Sequence, residues 1–164
     1  MQHILFVDLD GVLVDLTRGL SEILGIDMSK VSKKEYTRLF KEFIKDVPFK
    51  KRIEFWSNLP PMPDYKDLWN NLEKYQPLIL SSVSGCMAAC EGKKIWCKKY
   101  LGLDADRVFC SKDSKEKQNY ASPKAILIDD FDDNIEQFRA KGGHGIFFKN
   151  NKDALKKIKK IIES

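Results

Sequence analysis

The stretch FVDLDGVLVD, residues 6–15, restricts the possible folds more than any other part of the chain. Ile4, Phe6 and Val7 are β-formers, and with Leu5 they make a short apolar strand. That strand ends abruptly in Asp8, Leu9, Asp10 and Gly11. Side chains alternate along a strand, so Asp8 and Asp10 are expected on one side and Leu9 on the other. Two carboxylates so close do not both ionise cheaply without a cation between them or a shared proton. Gly11 permits a backbone turn that a β-carbon would resist. A strand that empties paired acids into a glycine turn suits metal and phosphate. The competing reading is a solvated loop with two chance aspartates.

The rest of the chain repeats this grammar. Asp15 is a plausible N-cap for a helix through Leu20, Ile23 and Leu24 that stops at Gly25. Residues 29–47 read as a second helix, with Ser32 and Glu35 fitting a capping box and apolar residues from Tyr36 to Val47 at helical spacing. Pro48 interrupts it, a third short helix carries Ile53, Phe55 and Trp56, and Leu59–Pro63 is a stiff connector. Asp64 begins a helix that buries Leu68, Trp69 and Leu72. From Pro77 onward, strands and helices alternate: LILSS at 78–82, RVFCS at 107–111, KAILIDD at 124–130 and GIFF at 145–148 are the strands. Near-continuous apolar strands between helices predict a parallel α/β sheet covered on both faces, a Rossmann-like arrangement. Residues 1–14 and 77–164 are expected to form this core, with 15–76 as a small helical cap inserted after the first strand.

Open sheets of this kind place their sites beyond the carboxyl ends of the strands. Three of the strands end in reactive side chains: Asp8 and Asp10, Ser81 and Ser82, Asp129 and Asp130. Such acids could hold Mg²⁺ through oxygen ligands. Ser81 offers a hydroxyl to a phosphate oxygen, and a lysine from 112–117 would neutralise the remaining charge. Covalent catalysis would then divide one hard hydrolysis into formation and breakdown of an aspartyl-phosphate, with Asp10 donating and later accepting the proton.

These motifs, in order across residues 4–134, resemble those of the haloacid dehalogenase-like (HAD) phosphohydrolases. FVDLDGVLVD resembles the first motif, LILSS the second and ILIDD the fourth. The resemblance implies Asp8 as nucleophile, Asp10 as acid/base and as a metal ligand through its main-chain carbonyl, Ser81 as the phosphate-binding hydroxyl, and Asp8 and Asp130 as metal ligands. Gly11 and Ser82 would line the substrate, and Asp129 would orient the metal shell. Lys112, Lys115 and Lys117 are all available as the third-motif lysine; Lys117 is favoured because it introduces KQNYA ahead of the fourth strand. DDFDDN departs from the commoner spacing, with Asp133 early and Asn134 where an acid often stands, so Asp133 is read equally as a helix-start residue.

The insertion sits where the family's cap sits, and DGVLVD followed by FWSNLPPMPD is similar to the 5′(3′)-deoxyribonucleotidase branch. That similarity implies cap aromatics around a nucleoside, here Phe55 and Trp56, with Phe40, Phe43 and Phe49 as neighbours or as the cap's own core. The expectation is a Mg²⁺-dependent phosphomonoesterase acting on a small substrate, a deoxyribonucleotide. The alternatives are a sugar phosphate or other small metabolite, a nucleic-acid 3′-phosphate, or a module that binds without turnover.

Composition narrows the partners. At 164 residues, with 43% hydrophobic and 32% charged residues, the chain describes an ordinary globule. No apolar run is long enough to span a bilayer, and a cytoplasmic location is expected. A net charge of +5 favours an anionic substrate, while a stable nucleic-acid complex would want a denser basic face. Cys86, Cys90, Cys97 and Cys110 offer no CxxC pair and lie far from His3 and His144 in sequence. They are expected to be free thiols, the first three along one helix.

Overall fold

A computed structural model describes residues 2–164. Its sheet is built from β1 (Ile4–Val7), β2 (Leu78–Ser82), β3 (Val108–Ser111), β4 (Ala125–Asp129) and β5 (His144–Phe147). All neighbours are parallel, in the order β3-β2-β1-β4-β5. β1 is therefore central, and the direction of winding changes between β1 and β4, where a crevice opens beyond the strand ends.

Register explains why the strands read as continuous apolar runs. Leu5 lies beside Ile126 and Val7 beside Ile128, and these join Ile79 and Ile146 in the larger core. Phe6 lies beside Leu127, and with Leu80 they pack on Ile135 and Phe138 across the other face. Both faces are covered, so neither parity of side chain can be polar.

The helices are α1 (Leu16–Leu24), α2 (Lys33–Asp46), α3 (Phe49–Ser57), α4 (Tyr65–Leu72), α5 (Met87–Leu101), α6 (Asp132–Ala140) and α7 (Asn151–Glu163). Their ends follow local chemistry. Asp15 accepts the Arg18 amide at 3.0 Å, and Gly25 closes α1 in the left-handed region. Ser32 accepts the Glu35 amide at 3.2 Å. The predicted capping box is only half made, because the Glu35 side chain pairs with Arg38 instead.

Two connections fix the inserted helices to the sheet. The outgoing and returning segments pair as a short stem: Asp15 donates to the Pro60 carbonyl at 2.8 Å and Met62 to that of Leu13 at 2.9 Å. Farther out, α3 packs on α5 at Gly92, where a β-carbon would lie 2.4 Å from Trp56 Cβ and 2.8 Å from the Ile53 carbonyl. Only glycine permits that approach. α4, grouped with the insertion on sequence, packs against α7, and its buried Leu68 and Leu72 join the larger core.

The cysteines differ from expectation. Cys90 on α5 and Cys110 on β3 are joined as a disulfide, leaving Cys86 and Cys97 as free thiols. Cys86 stands at the N-cap of α5, outside the helix. Sequence spacing could not pair Cys90 with Cys110, because the contact depends on how α5 lies across the sheet. Among the described residues no helix is long and apolar enough to cross a membrane.

Candidate active site

Strand β1 is over at Val7, and the acids beyond it part company. Leu9 turns inward, and its carbonyl accepts the amides of Val12, Leu13 and Val14 at 3.0, 2.8 and 2.9 Å. This compact turn sends the Asp8 and Asp10 side chains to different partners around one cavity of about 470 Å³.

Asp8 faces β4. Its Oδ1 lies 3.0 Å from Lys117 Nζ, and the same ammonium is 2.6 Å from Asp129 Oδ2. Lys117 is 1% exposed, whereas Lys112 and Lys115 are exposed, so the geometry brings Lys117 alone of the three to the carboxylates. Asp129 also accepts from Asn134 Nδ2 at 2.9 Å and from the Phe131 amide at 2.9 Å. Asn134, standing where an acid is common, thus holds Asp129 through its side-chain amide. Asp133 is exposed in the first turn of α6, as a helix-start residue would be. Asp130 projects at the mouth. A β-carbon on Gly11 would fall 1.8 Å from Asp130 Oδ2, so this glycine, at φ +83°, makes room for the carboxylate as well as the turn.

Charge in this half is unbalanced. One ammonium serves two buried carboxylates, and Asp129 has the better share of it. Burial, together with the nearby charge of Asp129, pushes Asp8 up to about 8 despite Lys117. Burial and Asp129 also push Asp130 up to about 6. Burial alone would lower Lys117, but the charges of Asp8 and Asp129 overcome it and raise the lysine, which stays protonated. One oxygen from each of Asp8, Asp129 and Asp130 can be chosen so that all three lie within 4.8 Å of one another. Hard oxygen donors carrying excess negative charge fit a magnesium-like ion.

Asp10 faces the other way. Its Oδ2 accepts from Lys93 Nζ at 2.8 Å, and Lys93 also donates to Ser81 Oγ at 2.7 Å and to the Ser82 carbonyl at 2.8 Å. Asp10 and Asp8 thus each have a lysine of their own. Ser81 is buried beneath the site on Lys93, while Ser82 lines the cavity. Lys93 was not anticipated from sequence. The available signal was its place among Ala89, Trp96 and Cys97 on the buried stripe of α5, where a lysine needs a partner.

The two predicted cap aromatics separate. Trp56 lines a recess of about 220 Å³ beside Asp10, with Leu16, Phe40, Ile44 and Ser82. Phe55 instead packs on Phe43, at 4.8 Å between ring centroids, and lines an outer cleft away from the acids. Consecutive helical residues point about 100° apart, so they rarely face one recess. Phe49 is exposed. Tyr36, Met62 and Phe131 are further walls of the main cavity that sequence reasoning did not single out.

This arrangement can be set beside known proteins. No curated protein matches the chain. Among solved structures, a HAD-superfamily hydrolase from Ehrlichia chaffeensis is 16% identical, with 99% of each chain covered and a TM-score of 0.57. A HAD phosphatase from Thermococcus onnurineus is 15% identical, with 99% of this chain and 98% of that one covered, at a TM-score of 0.56. A HAD family enzyme from Bacteroides thetaiotaomicron, solved as a magnesium complex, is 18% identical over 90% of this chain and 93% of its own, at 0.50. These likenesses establish the fold. The family model described as 5′ nucleotidase, deoxy (Pyrimidine), cytosolic type C protein matches residues 2–159. Matched over nearly its whole length, the chain belongs to that family of HAD-like deoxynucleotidases.

Proposed function

We propose that the protein is a Mg²⁺-dependent phosphomonoesterase that works through an aspartyl-phosphate, with a deoxyribonucleotide as substrate. The observation that carries this reading is the undercompensated Asp8–Asp129–Asp130 cluster, facing Asp10 across one cavity. Asp8, Asp130 and the main-chain carbonyl of Asp10 would hold the ion. When bound, the ion supplies the positive charge that the carboxylates and a phosphoryl group together require.

The chain's own residues account for the rest. Asp8 attacks phosphorus, a carboxylate–phosphorus bond forms, and the ester P–O bond breaks. Asp10 gives its proton to the departing alkoxide, then removes one from the water that cleaves the aspartyl-phosphate. Lys117 and the Ser82 side of the cavity stabilise the phosphoryl oxygens, and Ser81 supports that strand end from below. The recess beside Asp10 lies where the alcohol departs, and its apolar walls, Phe40 and Trp56, suit a nucleoside. The packing of α3 on α5 fixes this roof, so a mononucleotide is favoured over a long duplex.

A phosphate-release screen over deoxyribonucleotides, sugar phosphates and 3′-phosphorylated oligonucleotides tests the reading, with Asp8→Asn beside the wild type. Wild-type turnover should need Mg²⁺ and favour deoxyribonucleoside monophosphates. Asp8→Asn should stay folded and lose at least about a thousandfold in kcat. Substantial turnover in Asp8→Asn would remove the nucleophile assignment, and preference for sugar phosphates or oligonucleotides would move the substrate elsewhere.

A further inference from the structure

Lys93 lies in the middle of α5 and is 2% exposed, in a place where burying an ammonium is costly. Its three donor contacts are all within the site: Asp10 Oδ2, Ser81 Oγ and the Ser82 carbonyl. On the cap side the Trp56 ring centroid is 4.9 Å from Nζ. The two oxygens of Asp10 are consequently unlike. Oδ2 is held by Lys93, whereas Oδ1 is buried and has no hydrogen-bond partner among the described residues. A buried carboxylate oxygen without a partner is rare unless it awaits one.

We infer that Lys93 is a positioning residue: it holds Asp10 by Oδ2 so that the carboxyl group is aimed at the bridging oxygen of the phosphoester. The inference rests on the reading of Asp10 as the acid/base. As the P–O bond breaks, the bonding pair stays on the ester oxygen, which takes the proton from the Asp10 carboxyl group. The carboxylate left behind keeps its contact with Lys93. A general acid must lie within hydrogen-bond reach of the atom it protonates, and a displacement of about 1 Å can cost a hundredfold in rate. Among the described residues, nothing besides Lys93 ties Asp10 Oδ2 down.

The consequence depends on the leaving group. An alkoxide, such as the sugar oxygen of a nucleotide, leaves poorly without a proton. A 4-nitrophenolate leaves unprotonated and makes little demand on Asp10. The experiment measures kcat/KM of Lys93→Met for a deoxyribonucleoside monophosphate and for 4-nitrophenyl phosphate. This parameter covers steps up to loss of the alcohol and omits the later attack of water. Lys93→Met should lose about a hundredfold or more on the nucleotide and about tenfold or less on the aryl ester. Asp10→Asn should show the same selectivity, and Asp10→Asn/Lys93→Met should be no worse than Asp10→Asn alone.

Equal losses on both esters, or additive losses in the double variant, would overturn the role. If circular dichroism shows Lys93→Met unfolded, Lys93→Gln, which keeps hydrogen-bond donors, carries the same comparison; its selective loss supports the role and its uniform loss overturns it. The Asp8→Asn control separates the two ideas. Turnover surviving there ends the aspartyl-phosphate reading on which the role of Asp10 rests, whereas an inactive Asp8→Asn with unselective Lys93 variants ends only the role of Lys93.

Discussion

Two lysines are buried in the same site, and they are held by different balances of charge. Lys117 faces two carboxylates, Asp8 at 3.0 Å and Asp129 at 2.6 Å, with Asp130 close behind. Lys93 faces one carboxylate, a hydroxyl and a carbonyl. The Lys117 half is short of positive charge, and burial, together with the nearby charge of Asp129, raises both Asp8 and Asp130. The Lys93 half is balanced without any ion. On the proposed mechanism this difference would divide the labour of phosphoryl transfer: the deficient half would receive a cation and a phosphoryl group, and the balanced half would hold an acid steady against the leaving alcohol.

The largest effect expected from this contrast is that of Lys117→Met. It leaves two buried carboxylates with no cation, and breaking a buried pair from one side costs about 3–5 kcal/mol. Thermal unfolding should show that loss. Turnover should fall by about a thousandfold on every ester, since phosphoryl oxygens are common to all of them. Uniformity is the point of the measurement. If the loss in Lys117→Met depended on the leaving group as that in Lys93→Met should, the two halves would not be distinct.

Sequence revealed these halves unequally. The strands were legible because both faces of each are buried, and the ends of β1, β2 and β4 line one cavity. Lys117 was favoured among three lysines because it stands ahead of β4, and it reaches Asp8 and Asp129; Gly11 was singled out because a turn was needed there. The room Gly11 leaves for Asp130 is a tertiary fact that no local pattern carries. Lys93 was hidden within GKKIWCKK, where adjacent lysines disguise the one that points inward. Strict alternation misled for Asp10, because β1 stops at Val7 and the chain turns before reaching it. The Cys90–Cys110 pair was invisible for a similar reason: α5 and β3 meet only in the folded chain.

A second measurement sharpens the charge contrast with a smaller effect. Asp8 and Asp130 have folded-state values above the ordinary carboxylate range, near 4. Groups raised on folding keep their proton in the native chain while the unfolded chain releases it. Their contribution is therefore fully present below about pH 4 and is lost as pH rises toward about 8. In EDTA the melting temperature should fall across that window. Mg²⁺ should restore it, and by more at pH 8 than at pH 5. A Mg²⁺ shift of equal size at both pH values would show that the cluster carries no charge deficit.

The smallest effect concerns the wall of the Lys93 half. Trp56 lies over Lys93 and lines the recess beside Asp10, whereas Phe55 packs on Phe43 along the outer cleft. A base stacked on an aromatic ring is worth about 1–3 kcal/mol. Trp56→Leu should accordingly lower kcat/KM for nucleotides by about ten- to a hundredfold, with a lesser loss on 4-nitrophenyl phosphate. Phe55→Leu removes ring atoms from the cap's own packing and should cost about 1–2 kcal/mol of stability. Its kcat/KM, measured well below the melting transition, should stay within about twofold on both substrates. Both side chains are almost fully buried, so burial alone does not predict which one matters. What separates them is the direction each points from α3, and hence which cavity each reaches. A nucleotide-selective loss in Phe55→Leu would place the nucleoside in the outer cleft, beyond reach of Asp10, and would undo the link between the recess and the acid.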